Sequence, residues 1–290
     1  MCSHSEHATC QGHDAREFRH RWEMPMIWLS AIVTVLALLM AGGILLADSY
    51  GALDQLGEDA ADLRDLATAL MLLPLAPLAF YIYRFFMAAQ ARSNAVLVGP
   101  QQFPELYALY QDIASRLKMS RLPKLYVANG NGVVNAFALE CNRRHGYVII
   151  HAEIAQVLDQ SPDVVSFVLA HELAHHKLRH VSLWRIVISL VPNLLVVLGV
   201  TTTRAQEYSA DRLAMAVCPD HANALRLLSV GPWMEKGVNP QAWLEQANAE
   251  HGEFFVRITN LLSSHAVGVK RFKALKDIET HGFSRHGEMF

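Results

Sequence analysis

Charged residues are scarce in this sequence of 290 amino acids. They make up 18% of the chain, and 52% of the residues are hydrophobic, whereas soluble domains carry about 25% charged residues. This composition predicts that part of the chain contacts lipid. The net charge is −2, and no basic stripe with interleaved aromatic residues is present. The sequence therefore gives no reason to expect a nucleic-acid partner.

Cysteine is almost absent. The four cysteines are Cys2, Cys10, Cys141 and Cys218. They form no CxxC pair and are too few to form a disulfide framework for a chain of this size. This usage indicates a reducing compartment for the main domain.

The first 23 residues form a polar tail that is rich in metal-ligand residue types. One hypothesis is that this tail binds zinc or copper and either regulates the protein or supplies it with metal. The alternative is a disordered tail whose ligand-type residues are fortuitous. The residues concerned are Cys2, His4, His7, Cys10 and His13.

Two uncharged runs predict a transmembrane helical hairpin, with spans of about 24–47 and 66–84. The second run contains Pro74 and Pro77, which membrane helices tolerate better than soluble helices do. A cleaved signal peptide is the alternative for the first run. That run is too long, follows 23 polar residues and lacks a small-residue cleavage site.

Basic residues flank the predicted hairpin on its outer sides. Arg16, Arg19 and Arg21 precede the first span, and Arg84 and Arg92 follow the second, whereas the loop between them holds one arginine among six acids. Because positive flanks stay in the cytoplasm, both ends of the hairpin and the domain that follows are expected there.

The hexapeptide HELAHH (171–176) is the clearest chemical signal in the chain. His171 and His175 are four residues apart, so they project from the same face of a helix, as a shared metal ion requires. Residues 161–163 (Ser-Pro-Asp) are typical of a helix start, and the apolar residues in 164–169 predict a buried helix. Because the chain has 15 histidines, this HExxH pattern needs support from elsewhere.

Upstream of this helix, residues 122–129 and 146–150 are typical of strands, with 130–145 as the loop between them. A small sheet followed by helices is an α+β pattern.

A second helix is predicted over about 204–217, capped by the preceding threonines. Glu207 and Asp211 are four residues apart in it and share a face. When two histidines of one helix bind zinc, the usual third ligand is a Glu oxygen from a second helix. An Asp one turn after that Glu can fix the tautomer of a liganding histidine. The alternative is a solvated helical face.

The uncharged segment 186–203 is long enough for one membrane crossing at most. A single crossing would separate Glu207 from His171 by a bilayer, so a ligand role for Glu207 requires the segment to return. It could do so as a re-entrant turn at Pro192-Asn193 or by lying on the membrane surface. Burial in the domain core is the third alternative.

Together these motifs resemble the HtpX-like integral membrane zinc metallopeptidases, a family that includes the CAAX prenyl proteases. The resemblance covers roughly residues 93–275 and rests on HELAHH, RAQEYSADR (204–212), PKLYVAN…NAFAL (123–139) and SHAVGVKRFKAL (264–275). It implies a membrane-anchored α+β fold: a polar tail, a transmembrane hairpin and a mainly helical zincin-type domain with a small sheet. The corresponding boundaries are 1–23, 24–92 and 93–290.

The resemblance also implies the roles of individual residues. Zinc, one ion per chain, would be bound by His171, His175 and Glu207, with Glu172 as the catalytic base. His265 is the second expected catalytic residue, and His265 and Arg271 are the candidate donors to the developing oxyanion. The alternatives for His265 are a fourth zinc ligand that holds the enzyme latent and an ordinary loop histidine. Asp211 and Arg271 would lie behind the ligands, and Asn135, Ala136 and Phe137 would form the substrate-binding edge.

The sequence departs from the family in two places. Ala266 stands where proline usually follows the histidine, and 186–203 has room for one short excursion where HtpX-type members carry two helices. The first departure bears on the role of His265, and the second on the membrane topology.

The function implied is zinc-dependent hydrolysis of peptide bonds in misfolded or membrane proteins, by an endopeptidase of a bacterial inner membrane. Its partners would be protein or peptide substrates and the lipid bilayer. A prenyl-protein protease is one alternative, and an inactive zinc scaffold or metal sensor is another. Glu172 argues against a scaffold, because a scaffold needs metal ligands and has no need of that carboxylate.

Overall fold

The structure, a computed structural model, describes residues 14–54, 57–218, 221–263 and 265–289. The cysteines and histidines of the proposed tail site lie outside the described residues. The helices are α1 (Glu23–Ser49), α2 (Glu58–Leu72), α3 (Ala76–Ser93), α4 (Pro104–Arg116), α5 (Ala152–Ala155), α6 (Pro162–Lys177), α7 (Leu183–Ile188), α8 (Leu190–Leu194), α9 (Val196–Val217), α10 (His221–Val230), α11 (Pro240–Glu250), α12 (Phe254–Leu262) and α13 (Gly268–His281). The strands are β1 (Ala95–Leu97), β2 (Lys124–Ala128), β3 (Ala136–Asn142) and β4 (His145–His151).

The N-terminal hairpin is formed by α1 packed against α2, which continues into α3. A single 3-10 turn at Leu73–Leu75, containing Pro74, joins α2 to α3. The helical segments Glu23–Ser49 and Asp59–Ser93 are long and apolar enough to cross a membrane. The second is longer than its predicted span, because the helix continues on both sides of the apolar run. Its many exposed apolar side chains fit a lipid environment better than water.

The small sheet is mixed, with strand order β1-β2-β4-β3. β2 and β4 are parallel, and the other two pairs are antiparallel. The prediction of a loop over 130–145 is wrong, because β3 lies within it. β3 is an edge strand whose side chains are mostly half-buried, so its sequence lacks the alternation that marks a strand.

Helix α6 passes through the main hydrophobic core, between the sheet and α9, and every residue over 164–174 is buried. It begins where the sequence predicts, with Pro162 in its first turn. Ser161 occupies the N-cap position without capping through its side chain; its hydroxyl instead donates to Glu235 Oε1 at 3.3 Å.

The chain reverses direction between α7 and α9. The predicted start of α9 near residue 204 is wrong, because the helix begins eight residues earlier, at Val196. The threonines at 201–203 do not cap it; their hydroxyls donate to carbonyls four residues back, inside the helix. Gly199 allows the close return, because a Cβ there would lie 2.5 Å from Asn193 Oδ1 and 3.0 Å from Pro192 O. This reversal brings α9 back against α6.

The segment just before α1 packs against α9 and the C-terminal tail. The His20 backbone N–H donates to Ser209 Oγ at 2.8 Å, and Arg212 donates to the carbonyls of Phe18 and Phe283 at 2.9 and 2.6 Å. The start of the first helix is therefore fixed to the same helix that carries Glu207.

Candidate metal centre

Two helices bring the three proposed ligands together. α6 presents His171 and His175 one turn apart, and α9 crosses it with Glu207. The two Nε2 atoms are 3.1 Å apart, and they lie 3.5 and 3.4 Å from the two carboxylate oxygens of Glu207. One potential ligand atom from each of the three residues lies within 4.8 Å of the others. The cluster predicted from the sequence is thus assembled in the fold.

The electrostatics of this cluster favour a buried cation. Burial lowers the pKa of His171, but Asp211 and Glu207 outweigh it and raise the pKa to about 10. Burial raises the pKa of Glu207, but His171 and His265 outweigh it and hold the pKa well below its usual range. Two imidazole nitrogens facing a carboxylate also form a common donor set for zinc. The residues present therefore fit a zinc ion.

The other ring nitrogen of His171 faces a carboxylate. His171 Nδ1 lies 2.9 Å from Asp211 Oδ1, and Asp211 accepts two hydrogen bonds from Arg271, at 2.6 and 2.8 Å. Burial raises the pKa of Asp211, but the Arg271 guanidinium outweighs it and lowers the pKa. An ionised Asp211 can therefore hold the His171 ring with Nε2 turned toward Glu207.

His265 reaches the cluster from the loop before α13. Its Nδ1 lies 3.1 Å from Glu207 Oε2, and 69% of its side chain is exposed. The contact with Glu207 raises the pKa of His265. The structure thus places His265 and Arg271 beside the three proposed ligands, as the family resemblance implied.

Glu172 lies on the wall of the cavity that contains the cluster. It is buried, and this burial raises the pKa of its carboxyl group despite the nearby His171. The cavity has a volume of about 450 Å³. Its lining includes the proposed substrate-binding residues Asn135, Ala136 and Phe137.

The remaining histidines near the motif have different surroundings. His176 points away from the cluster, and its Nε2 hydrogen-bonds to the carbonyl of Tyr147 at 3.0 Å, which is a structural contact. His180, which spacing alone could not place, lies with its Nδ1 3.0 Å from Nδ1 of His175. Glu23, which no sequence motif indicates, lies with its Oε1 3.3 Å from His180 Nε2. Its only sequence signal is a lone acid directly before a long uncharged run.

Comparison with known proteins matches residues 100–201 to Peptidase family M48. The chain resembles the HtpX-like M48 metallopeptidases. A curated protein named Protease HtpX homolog, from Acaryochloris marina (strain MBIC 11017), is 35% identical over 82 residues, which are 28% of this chain and 27% of that protein. The match thus spans about a quarter of the relative's length. No solved structure gives a significant match.

The family match includes the HELAHH motif but ends before Glu207 and Asp211. The geometry of α9 against α6 is therefore the independent observation that adds Glu207 to the two histidines.

Proposed function

We propose that this protein is a membrane-bound zinc endopeptidase in which His171, His175 and Glu207 bind the metal. The observation that carries the proposal is the convergence of these three side chains in a cavity that also holds Glu172. The similarity to Peptidase family M48 supports it. A protein that only stored or sensed metal would not need a buried carboxylate beside the ligands.

Zinc, when bound, would supply Lewis acidity that polarises a substrate carbonyl and lowers the pKa of water. Glu172 takes the proton from the attacking water and passes it to the leaving amine. Glu172 is next to His171 in the chain and lies on the wall of the same cavity, so its carboxylate can reach this water without binding the metal.

The substrate is proposed to bind along the free edge of β3. β3 pairs with β4 on one side, and its other edge borders the cavity. The carbonyl of Asn135 accepts the His151 N–H at 2.9 Å, so the backbone groups of Ala136 and Ala138 point away from β4. An extended peptide can add there as a further strand, next to Glu172.

His265 and Arg271, the other two polar residues beside the proposed ligands, are assigned different roles. Arg271 is committed to Asp211 through two hydrogen bonds, so we assign it to positioning. His265 is largely exposed, borders the cavity and lies with its Nδ1 3.1 Å from Glu207 Oε2, the oxygen that also faces His171, so we assign it to the developing oxyanion. The competing hypothesis is that His265 acts as a fourth ligand and holds the enzyme latent.

The substrates proposed are misfolded or membrane proteins, reached from the cytoplasmic face of a bacterial inner membrane. The two long apolar helices support an anchor, and the basic residues flanking them support the orientation.

The test compares the purified, detergent-solubilised, zinc-loaded chain with its Glu172→Gln variant on a model membrane protein. We expect cleavage by the wild type and none by the variant, with equal zinc content. Equal cleavage by both would point to a contaminating protease, and absence of zinc from the wild type would refute the metal site.

A further inference from the structure

His175 has a ring nitrogen that the proposed zinc site does not use. Its Nε2 faces His171, while its Nδ1 lies 3.0 Å from Nδ1 of His180. His180 is held in this position by its own backbone, whose N–H donates to the His175 carbonyl at 2.8 Å. In a hydrogen bond between two ring nitrogens, one carries the proton and the other accepts it.

The second nitrogen of His180 faces the beginning of the first apolar helix. Its Nε2 lies 3.3 Å from Oε1 of Glu23, and both side chains are almost completely buried. Glu23 also pairs with Arg19 and with Arg185, whose Nη2 is 2.7 Å away. Both arginines also donate to the carbonyl of Leu178, at 2.9 and 3.3 Å. Because Leu178 follows the last residue of α6, they link Glu23 to the C-terminal end of that helix.

We propose that Glu23 and His180 are positioning residues that fix the ring of His175 for metal binding. This inference rests on the proposed zinc site. A carboxylate next to His180 Nε2 keeps the proton on that nitrogen and leaves Nδ1 free to accept. His175 then donates from its own Nδ1, and its Nε2 presents a lone pair toward His171 and Glu207.

The two histidine ligands are thus oriented from opposite sides by different elements. His171 is oriented directly by Asp211 of α9, and His175 is oriented through His180 by Glu23 of α1. Stability alone does not explain a buried Glu with two arginines, because apolar residues of similar volume often stabilise a protein equally well. Orientation of a ligand does explain it. The metal centre is therefore completed by the N-terminal segment.

The experiment measures zinc affinity by chelator competition, and the visible spectrum of the Co²⁺-loaded full-length chain, in detergent. The variants are Glu23→Gln, His180→Ala and the double variant. Ser30→Ala is the matched control: it removes a buried polar contact of the same helix, to Thr202 Oγ1 at 3.2 Å, without touching His180. Thermal unfolding without metal checks that each variant is folded.

We expect both single variants to bind zinc about 10- to 100-fold more weakly than the wild type and to change the Co²⁺ spectrum. Because Glu23 acts through His180, the double variant should bind no more weakly than His180→Ala alone. The control should retain wild-type affinity and spectrum.

Affinities of both variants within about twofold of the control, with unchanged spectra, would overturn the positioning role. If Glu23→Gln fails to fold, His180→Ala decides the matter, because it leaves the pairs of Glu23 with Arg19 and Arg185 in place. A wild type that binds no zinc would overturn the metal site as well. A wild type that binds zinc, beside variants that bind equally well, would overturn this inference alone.

Discussion

Asp211 accepts two hydrogen bonds from the Arg271 guanidinium and lies 2.9 Å from the ring of His171. This contact joins α9 and α13 beside the proposed ligands. If an ionised Asp211 orients His171 for metal binding, Asp211→Asn should weaken zinc binding by about 10- to 100-fold. Asp159→Asn removes the same charge from an exposed position and should leave the affinity unchanged. Chelator competition measures both variants, and equal affinities would exclude the orienting role.

The two hypotheses for His265, oxyanion stabilisation and latency, predict opposite effects of its removal on activity. If it stabilises the oxyanion, His265→Ala should lower kcat by about 10²- to 10³-fold at unchanged zinc content, as the loss of one such donor does elsewhere. If it holds the enzyme latent, the same variant should be more active than the wild type. We expect the loss. His281→Ala, an exposed histidine on α13, is the control and should keep full activity in the same peptide-cleavage assay.

The sequence predicts α6 well, because the residues that define this helix are close together in the chain. HExxH spacing, the Pro162 helix start and the apolar run before His171 are all local signals, and α6 lies over Pro162–Lys177. The spacing of Glu207 and Asp211 placed them on one helix face in the same way, because the ligand end of α9 has regular helical periodicity.

The features that the sequence does not reveal depend on contacts between distant segments. β3 is half-buried at a sheet edge, so packing against β4, not an apolar pattern, defines it. The start of α9 is set by the tight return past Pro192, which needs the missing side chain of Gly199. Glu23 meets Arg185 across 162 positions of the chain, and no local pattern could pair them.

A buried histidine outside the metal centre makes stability sensitive to acid. Burial lowers the pKa of His20 from 6.5 to about 4, helped by the charges of His286, Arg212 and Arg21 and only partly offset by its hydrogen bond to Gly287 O. As pH falls below about 6.5, the unfolded chain takes up a proton here while the folded chain does not, until about pH 4. The free energy of unfolding therefore falls across this window.

We expect His20→Gln to remove this part of the pH dependence, which amounts to about 3 kcal/mol between the two limits. The glutamine side chain retains a donor for Gly287 O and does not titrate. Chemical denaturation of both proteins in detergent at several pH values between 4 and 7 measures the difference. Parallel curves for the two proteins would show that His20 is not the group responsible.

The edge of β3 offers a test of substrate binding that leaves the metal untouched. The Ala138 N–H points away from β4, so a proline there removes a donor from the free edge without breaking the pairing of β3 with β4. We expect Ala138→Pro to raise KM for peptide substrates by about tenfold, the effect of one lost backbone hydrogen bond. Ala138→Ser keeps the N–H and should bind substrate as the wild type does. Because both variants keep His171, His175 and Glu207, their zinc content should be equal. A KM shared by the two variants would mean that the peptide does not add to this strand.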